Sequence, residues 1–172
     1  MEIRKATIAD LEPLTQLCIT TFIEAYGIHN TPENLNFYLQ EAFNATQLTQ
    51  ELQSETEAYF ILSEHDLPIA YIKLRYDCCP PDIADENWVE IQRIYVAGEH
   101  QQRGLGKELL KIAEAEAVSS GAHYIWLGVW QNNPKAIRFY EKNGFSIFGT
   151  QEFWLGDDCQ SDFLMHKKVV YK

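Results

Sequence analysis

Basic residues are in the minority, the cysteines lack partners at useful spacing, and no long apolar run occurs in this chain of 172 residues. Lys and Arg number 14 against 25 Asp and Glu, a formal net charge of −11. Such a chain repels a phosphate backbone, which argues against nucleic acid as its main partner. A negative field raises the local concentration of small cations, although acidity also serves simply to keep a protein soluble. Cys18, Cys78, Cys79 and Cys159 form no C-x-x-C pair, and no His stands at zinc-finger spacing, so neither a metal site nor a disulfide framework is expected. No apolar run approaches the ~18 residues of a membrane span. The opening Met1-Glu2-Ile3-Arg4-Lys5 lacks the apolar core of a signal peptide. The expectation is a cytoplasmic protein with free thiols, away from the membrane.

Against these absences, hydrophobic residues make up 46% of the chain, enough to build a core over its whole length. No repeat, linker or low-complexity stretch divides it, so residues 1–172 read as one α/β domain. Residues 2–7 alternate as a first strand. Thr7 and Asp10 have capping-box spacing ahead of a helix carrying Leu11, Leu14, Leu17, Cys18 and Phe22, which should stop near Gly27. Thr31-Pro32 opens a second helix, and residues 44–52 add a third. Strands are expected at 59–63 and 69–76, then at 89–96 and 124–130. An amphipathic helix over 104–120 joins the last two. Asn133-Pro134 starts a final helix that Gly144 closes. Strands at 145–153 and 161–169 follow, with a polar turn at 156–158 between them.

The stretch with chemical content runs from Glu90 to Lys107, where a strand ends and a loop bearing Gly104 and Gly106 leads into a helix. Unpaired N–H groups at a helix start, aided by the helix dipole, form an anion site. Glycines there let backbone approach a phosphate without a Cβ in the way. Arg103 and Lys107 add positive charge. A P-loop is excluded because Glu108 stands where Ser or Thr is needed, and a dinucleotide fingerprint because Leu109 replaces its third Gly. The alternative is an ordinary loop-to-helix turn.

Gln101-x-x-Gly104-x-Gly106 after an apolar strand resembles the acetyl-CoA pyrophosphate loop of the GNAT N-acetyltransferases. Asn133-Pro-Lys-Ala136-Ile-Arg-Phe139-Tyr140-Glu-Lys-Asn-Gly144-Phe145 resembles the second signature of that family, in the family's order and spacing. Within it, Trp126-Leu-Gly-Val-Trp130, Gly156-Asp-Asp-Cys-Gln-Ser-Asp162 and Thr31-Pro-Glu-Asn34 are most similar to the PaiA-type spermidine/spermine N-acetyltransferases. The resemblance covers nearly the whole chain. It implies the GNAT fold, a mixed and mostly antiparallel central sheet of about six or seven strands flanked by helices. The cofactor lies in a splay between two parallel strands joined by a crossover helix.

The resemblance implies acetyl-CoA as co-substrate, held by Gln101, Gln102, Arg103, Gly104, Leu105, Gly106 and Lys107. Ile94, Tyr95 and Val96 pair by backbone with the pantetheine arm, and Asn133 and Lys142 contribute from the last helix. Asn133 reads equally as a helix N-cap.

Acetyl transfer needs a neutral amine, and an alkylammonium with a pKa near ~10.4 must first lose a proton. Glu90 is the candidate base, with an ion-paired strand carboxylate as its plain alternative and Glu24 or Glu33 in reserve. Tyr140 is the candidate acid toward the departing thiolate. A cleft lined by Glu24, Tyr26, Glu33, Trp130 and Trp154 is the candidate acceptor site, where aromatic faces and carboxylates attract ammonium groups. The activity so implied is acetylation of a small cationic primary amine, a polyamine such as spermidine or spermine, by direct attack in a ternary complex. The competing readings are a protein or peptide N-acetyltransferase and a non-catalytic acyl-CoA-binding regulator. The chain is expected to act as a monomer or homodimer.

Overall fold

The computed structural model describes residues 1–83 and 87–171. Strand β1 (Glu2–Lys5) runs into a short turn where the Asp10 carboxylate accepts the Thr7 N–H at 2.8 Å. Arg4 holds both oxygens of that carboxylate at 2.6 and 2.8 Å, and this pins the start of α1 (Leu11–Tyr26) to the sheet. Helix α2 (Pro32–Ala42) has Pro in its first turn, and Thr31 accepts the Asn34 N–H at 3.3 Å. Helix α3 (Ala45–Gln53) is capped by Asn44, which takes the Gln47 N–H at 2.9 Å. Each cap satisfies an N–H that the helix itself leaves unpaired.

Strands β2 (Glu57–Glu64) and β3 (Leu67–Tyr76) form a hairpin whose turn residues His65 and Asp66 both have positive φ. Then come β4 (Trp88–Val96), α4 (Leu105–Ser119), β5 (Tyr124–Trp130), α5 (Pro134–Lys142), β6 (Ser146–Leu155) and β7 (Asp158–Lys168). Among the described residues the sheet order is β1-β2-β3-β4-β5-β7-β6, seven strands in which only β4 and β5 pair in parallel. This is the mixed, mostly antiparallel sheet expected. Several boundaries shift by two or three residues, the largest at β7, which begins at Asp158 and not near Ser161. Gly156, with φ of +65°, permits a tight turn, so 158–160 stay paired with 153–155 to the hairpin tip.

Both faces of the sheet are covered, so its inner strands read as continuous apolar runs and not as alternations. On β2, Ala58, Phe60 and Leu62 pack beneath α4 with Leu105, Leu109, Leu110, Ala113 and Ala117. The intervening Tyr59 and Ile61 pack on the opposite face with Leu14, Leu17, Cys18 and Phe22 of α1 and Leu48 of α3. Each such fully buried large apolar side chain contributes about 1.5–3 kcal/mol. Under α3 lies a buried ion network. Lys73 is 1% exposed and sits 2.7 Å from Glu51, and Arg93 lies 3.5 Å from the same carboxylate and over the Phe43 ring.

What positions the site is the parting of β4 from β5. Their ladder covers only Trp88–Glu90 against Tyr124–Trp126. Beyond it, β4 carries a bulge: Ile91 pairs with Leu74 and Arg93 with Lys73, which leaves Gln92 unmatched. A bulge bends its strand and increases the local twist. From this point β4 turns away with β3 while β5 stays with β7, and their facing backbone edges are left open.

Candidate active site

A cavity of about 500 Å³ occupies the opening between β4 and β5. One end lies at the start of α4, and it passes through the sheet to the face covered by α1 and α2.

At the α4 end, Gln102 has φ of +63° and Gly104 +80°. This winding turns successive N–H groups to one side. The first that finds a backbone acceptor is that of Lys107, bonded to the Gly104 carbonyl at 3.0 Å. Among the described residues none accepts from the N–H groups of 102–106. Five free donors at the positive end of a helix fit a pyrophosphate. Glu24 of α1 accepts the Gly98 N–H at 2.9 Å and steadies the loop from below. Gln101 bonds the Val96 carbonyl at 3.2 Å and accepts from Lys135 at 2.8 Å. Gly106 has a further reason to lack a side chain, because a Cβ there would lie 3.1 Å from the Phe139 ring.

Ile94, Tyr95, Val96, Gln101, Gln102, Gly104, Leu105, Gly106, Lys107 and Asn133 all line the cavity. Asn133 also caps α5, accepting the Ala136 N–H at 3.0 Å. Two expected contributors do not line it. Arg103 is turned outward onto Glu64, at 2.6 and 3.2 Å, and onto His100 at 2.7 Å. Lys142 is exposed two turns beyond the end of α5 that faces the cavity; Lys135, in the first turn, stands at the lining instead.

Tyr140 lies at mid-cavity, 7% exposed, its ring packed edge-on against Phe139 and Phe145 at 5.2 and 5.7 Å. Among the described residues nothing is hydrogen-bonded to its hydroxyl. Burial, with a smaller effect from Tyr26, pushes its pKa well above the usual phenol value, so at neutral pH it holds its proton.

At the far end, Tyr26 and Trp130 face the cavity with ring centroids 6.3 Å apart. The other expected acceptor residues are elsewhere. Glu24 is occupied by Gly98, Glu33 is exposed in the first turn of α2, and Trp154 is 58% exposed on β6. Glu90 does not reach the cavity. It sits on the paired part of β4, 3.0 Å from Arg75, and accepts from the Cys78 thiol at 3.4 Å. The structure thus gives it the ion-paired placement that the sequence left open.

Several lining residues lie outside the candidates the sequence offers, and two of them bear on the chemistry. Gln92, the bulge residue, has a buried side-chain oxygen with no hydrogen-bond partner among the described residues. Asp162 enters from β7, opposite Trp130 on β5 and Gln151 on β6. Burial raises its pKa to about 6, opposed by a hydrogen bond from Gln151. Its visible signal in the sequence is Gly128, a glycine inside a strand, which marks a close approach. A Cβ at 128 would lie 2.8 Å from the Gln151 amide and 3.3 Å from Asp162 Oδ2.

Among the described residues no cluster of His, Cys, Asp and Glu is placed to hold a metal ion, and no helix is long and apolar enough to cross a membrane.

Comparison with known proteins agrees with this geometry. Residues 21–145 match the acetyltransferase (GNAT) family. An uncharacterized N-acetyltransferase of Lactobacillus delbrueckii subsp. lactis is 34% identical over 94% of this chain and 93% of its own. The spermidine N(1)-acetyltransferase of Thermoplasma acidophilum is 30% identical over 98% of this chain and 97% of its own. The crystal structure of the PaiA N-acetyltransferase of the same organism, in complex with coenzyme A, superposes with a TM-score of 0.79 at 29% identity, covering 97% and 98% of the two chains. With a sheet that parts at a bulge and a helix start able to hold a pyrophosphate, the chain belongs to the GNAT family of acetyltransferases.

Proposed function

We propose that this protein transfers the acetyl group of acetyl-CoA to a primary amine of a small polycation such as spermidine or spermine. The observation that carries the reading is the cavity itself. It joins an anion-binding helix start on one face of the sheet to an aromatic and acidic chamber on the other, and Tyr140 stands between them. Two molecules entering from opposite faces meet inside the sheet, as direct transfer in a ternary complex requires.

Acetyl-CoA supplies the thioester. The residues divide the remaining work. The N–H groups of 102–106, with Lys107 and Lys135 nearby, hold the pyrophosphate. The open edges of β4 at 94–96 and of β5 offer backbone partners to an extended amide-bearing arm, as a sheet edge does for an added strand. Asn133 stands beside that arm while it caps α5. Tyr140 keeps its proton until sulfur takes up charge, and a proton delivered at that moment stabilises the leaving group. Tyr26 and Trp130 face the incoming ammonium. The spermidine acetyltransferase relative is aligned over almost the full length of this chain, acceptor chamber included, which supports the same substrate class.

The test is a panel of amines incubated with acetyl-CoA, with thiol release and product mass as readouts. Spermidine and spermine are expected to be acetylated, and neutral or acidic amines to be poor acceptors. Release of thiol with a peptide amine and no acetylated polyamine would transfer the assignment to a peptide N-acetyltransferase. No product with any amine points to a regulator.

A further inference from the structure

We propose that Asp162 is the catalytic base of this site: its carboxylate binds the acceptor ammonium and takes its proton before attack on the thioester. The inference rests on the reading of the chain as an amine acetyltransferase and adds a residue to it.

Among the described residues, Asp162 is the only carboxylate that lines the cavity. Glu90, Glu24 and Glu33 are all placed elsewhere. Asp162 stands on β7 directly across from Trp130, in the chamber that Tyr26, Tyr38 and Phe153 wall with aromatic rings. Its oxygen sits over Gly128, where β5 has parted from β4, and any side chain at 128 would crowd it. Among the described residues no Lys or Arg forms an ion pair with it. An anion without a counter-ion in an aromatic chamber is stabilised by an entering ammonium more than by anything the protein provides.

Its ionisation suits the task. With a carboxyl lifted to about 6 by burial, Asp162 is mostly charged at neutral pH yet more basic than an ordinary aspartate. The groups that share its surroundings are Tyr26 from α1, Tyr38 from α2, Arg93 and Tyr95 from β4, Trp130 from β5, Gln151 from β6 and Tyr140 from α5. Burial raises the phenols of Tyr26, Tyr95 and Tyr140, and neighbouring groups raise Arg93, so these four keep their protons between pH 5 and 8. The imidazoles nearest the cavity are His29, in ring contact with Trp130 at 5.0 Å, and His100 at the α4 end.

The protons balance as follows. The ammonium gives one proton to Asp162, which passes it to solvent. The amine lone pair then forms the C–N bond as the C–S bond breaks. Tyr140 gives its hydroxyl proton to sulfur and regains one from the newly bonded nitrogen. The products are the amide, the free thiol and one released proton.

Two measurements test this. The first is carbon-13 NMR of side-chain-labelled aspartate, with the Asp162 signal assigned by its loss in D162N. The CoA-bound protein should show one carboxyl titrating near pH 6, and spermidine should shift that transition downward. An ordinary aspartate value, unmoved by spermidine, overturns the proposal. The second is the pH profile of kcat/KM for spermidine. The wild type should rise tenfold per pH unit below about pH 6 and level off above it. D162N should lose this limb and fall roughly 100- to 10,000-fold, while its affinity for acetyl-CoA stays the same. The limb should persist in E90Q, H29Q and H100Q. Loss of the limb in E90Q with its retention in D162N overturns the assignment and leaves the acetyltransferase reading intact. Absence of product with every amine removes that reading and this assignment together.

Discussion

Asn34 in the first turn of α2 donates a hydrogen bond of 2.7 Å to Asp157 at the tip of the β6–β7 hairpin, across 123 residues of sequence. The contact exists because Gly156 has no side chain: a Cβ there would overlap the Asn34 amide. A second bond, from Gln160 to the Asn30 carboxamide oxygen at 3.0 Å, ties the same two regions together. The Thr31–Asn34 and Gly156–Asp162 stretches are far apart in the chain but meet here beside the acceptor chamber.

Gly156→Ala therefore meets two penalties. A left-handed backbone costs a non-glycine residue roughly 1–2 kcal/mol, and the methyl group displaces Asn34 as well. Urea denaturation should show a loss of about 1–3 kcal/mol, and the KM for spermidine should rise more than that for acetyl-CoA. Equal changes in both constants would mean that the hairpin contact does not shape the acceptor side.

At the loop proposed to hold the pyrophosphate, Gly104→Val and Arg103→Ala should differ widely. Among the described residues nothing lies within 4 Å of a Cβ at 104, so the effect would not come from internal packing. It comes from forcing a β-branched residue to φ of +80° and from obstructing the ligand. Calorimetry with acetyl-CoA should show a loss of about 30-fold or more, equivalent to roughly 2 kcal/mol. Arg103, already held by Glu64 on the surface, should cost less than about threefold. Equal tolerance of both changes would count against the loop as the cofactor site.

Tyr140→Phe removes one oxygen from a ring whose packing stays intact. A proton donated to the leaving sulfur matters in the transition state and little in the ground state, so kcat should fall by roughly 100-fold with the acetyl-CoA affinity nearly unchanged. Unchanged turnover under conditions where chemistry limits the rate would remove Tyr140 from the mechanism.

The net charge of −11 predicts a salt effect on substrate capture. Raising ionic strength from about 0.01 to 0.15 M shortens the Debye length from about 30 to 8 Å. The kcat/KM for spermidine should then fall severalfold, and that for a neutral amine should hold level. A flat profile for spermidine would confine the acidic surface to a role in solubility.

Away from the site, Glu51→Ala should be among the most damaging substitutions. Glu51 is the nearer of two carboxylates paired with Lys73, which is 1% exposed, and it also faces Arg93. Removing the nearer partner leaves Lys73 only Glu57, at 3.3 Å, and strips Arg93 of its carboxylate, at a cost of about 3 kcal/mol. Thermal or urea unfolding measures this directly, and a loss below about 1 kcal/mol would show that water reaches the network.

The local elements were legible in the sequence because their causes are local. Thr31-Pro32, Asn44 and Asn133-Pro134 announce helix starts through a side-chain oxygen and a fixed φ, and the structure places a helix after each. Gly104 and Gly106 ahead of an amphipathic run announced a loop turning into a helix for the same kind of reason. What the chain could not show by itself is which side chains face one another across the sheet. Glu90 and Asp162 are both acidic residues in strands, and nothing in their immediate neighbours tells them apart. The bulge at Gln92 ends the β4–β5 ladder just past Glu90, so Glu90 stays on the paired part of β4 with Arg75, while Asp162, brought in by β7 over Gly128, faces the opening. Likewise Arg103 and Lys135 are both basic residues near helix starts, yet only tertiary packing puts Glu64 within reach of Arg103 and leaves Lys135 at the cavity. Backbone propensity acts over a few residues and is written in the sequence; the environment of a charge is set by strands distant in the chain, and only the folded sheet decides it.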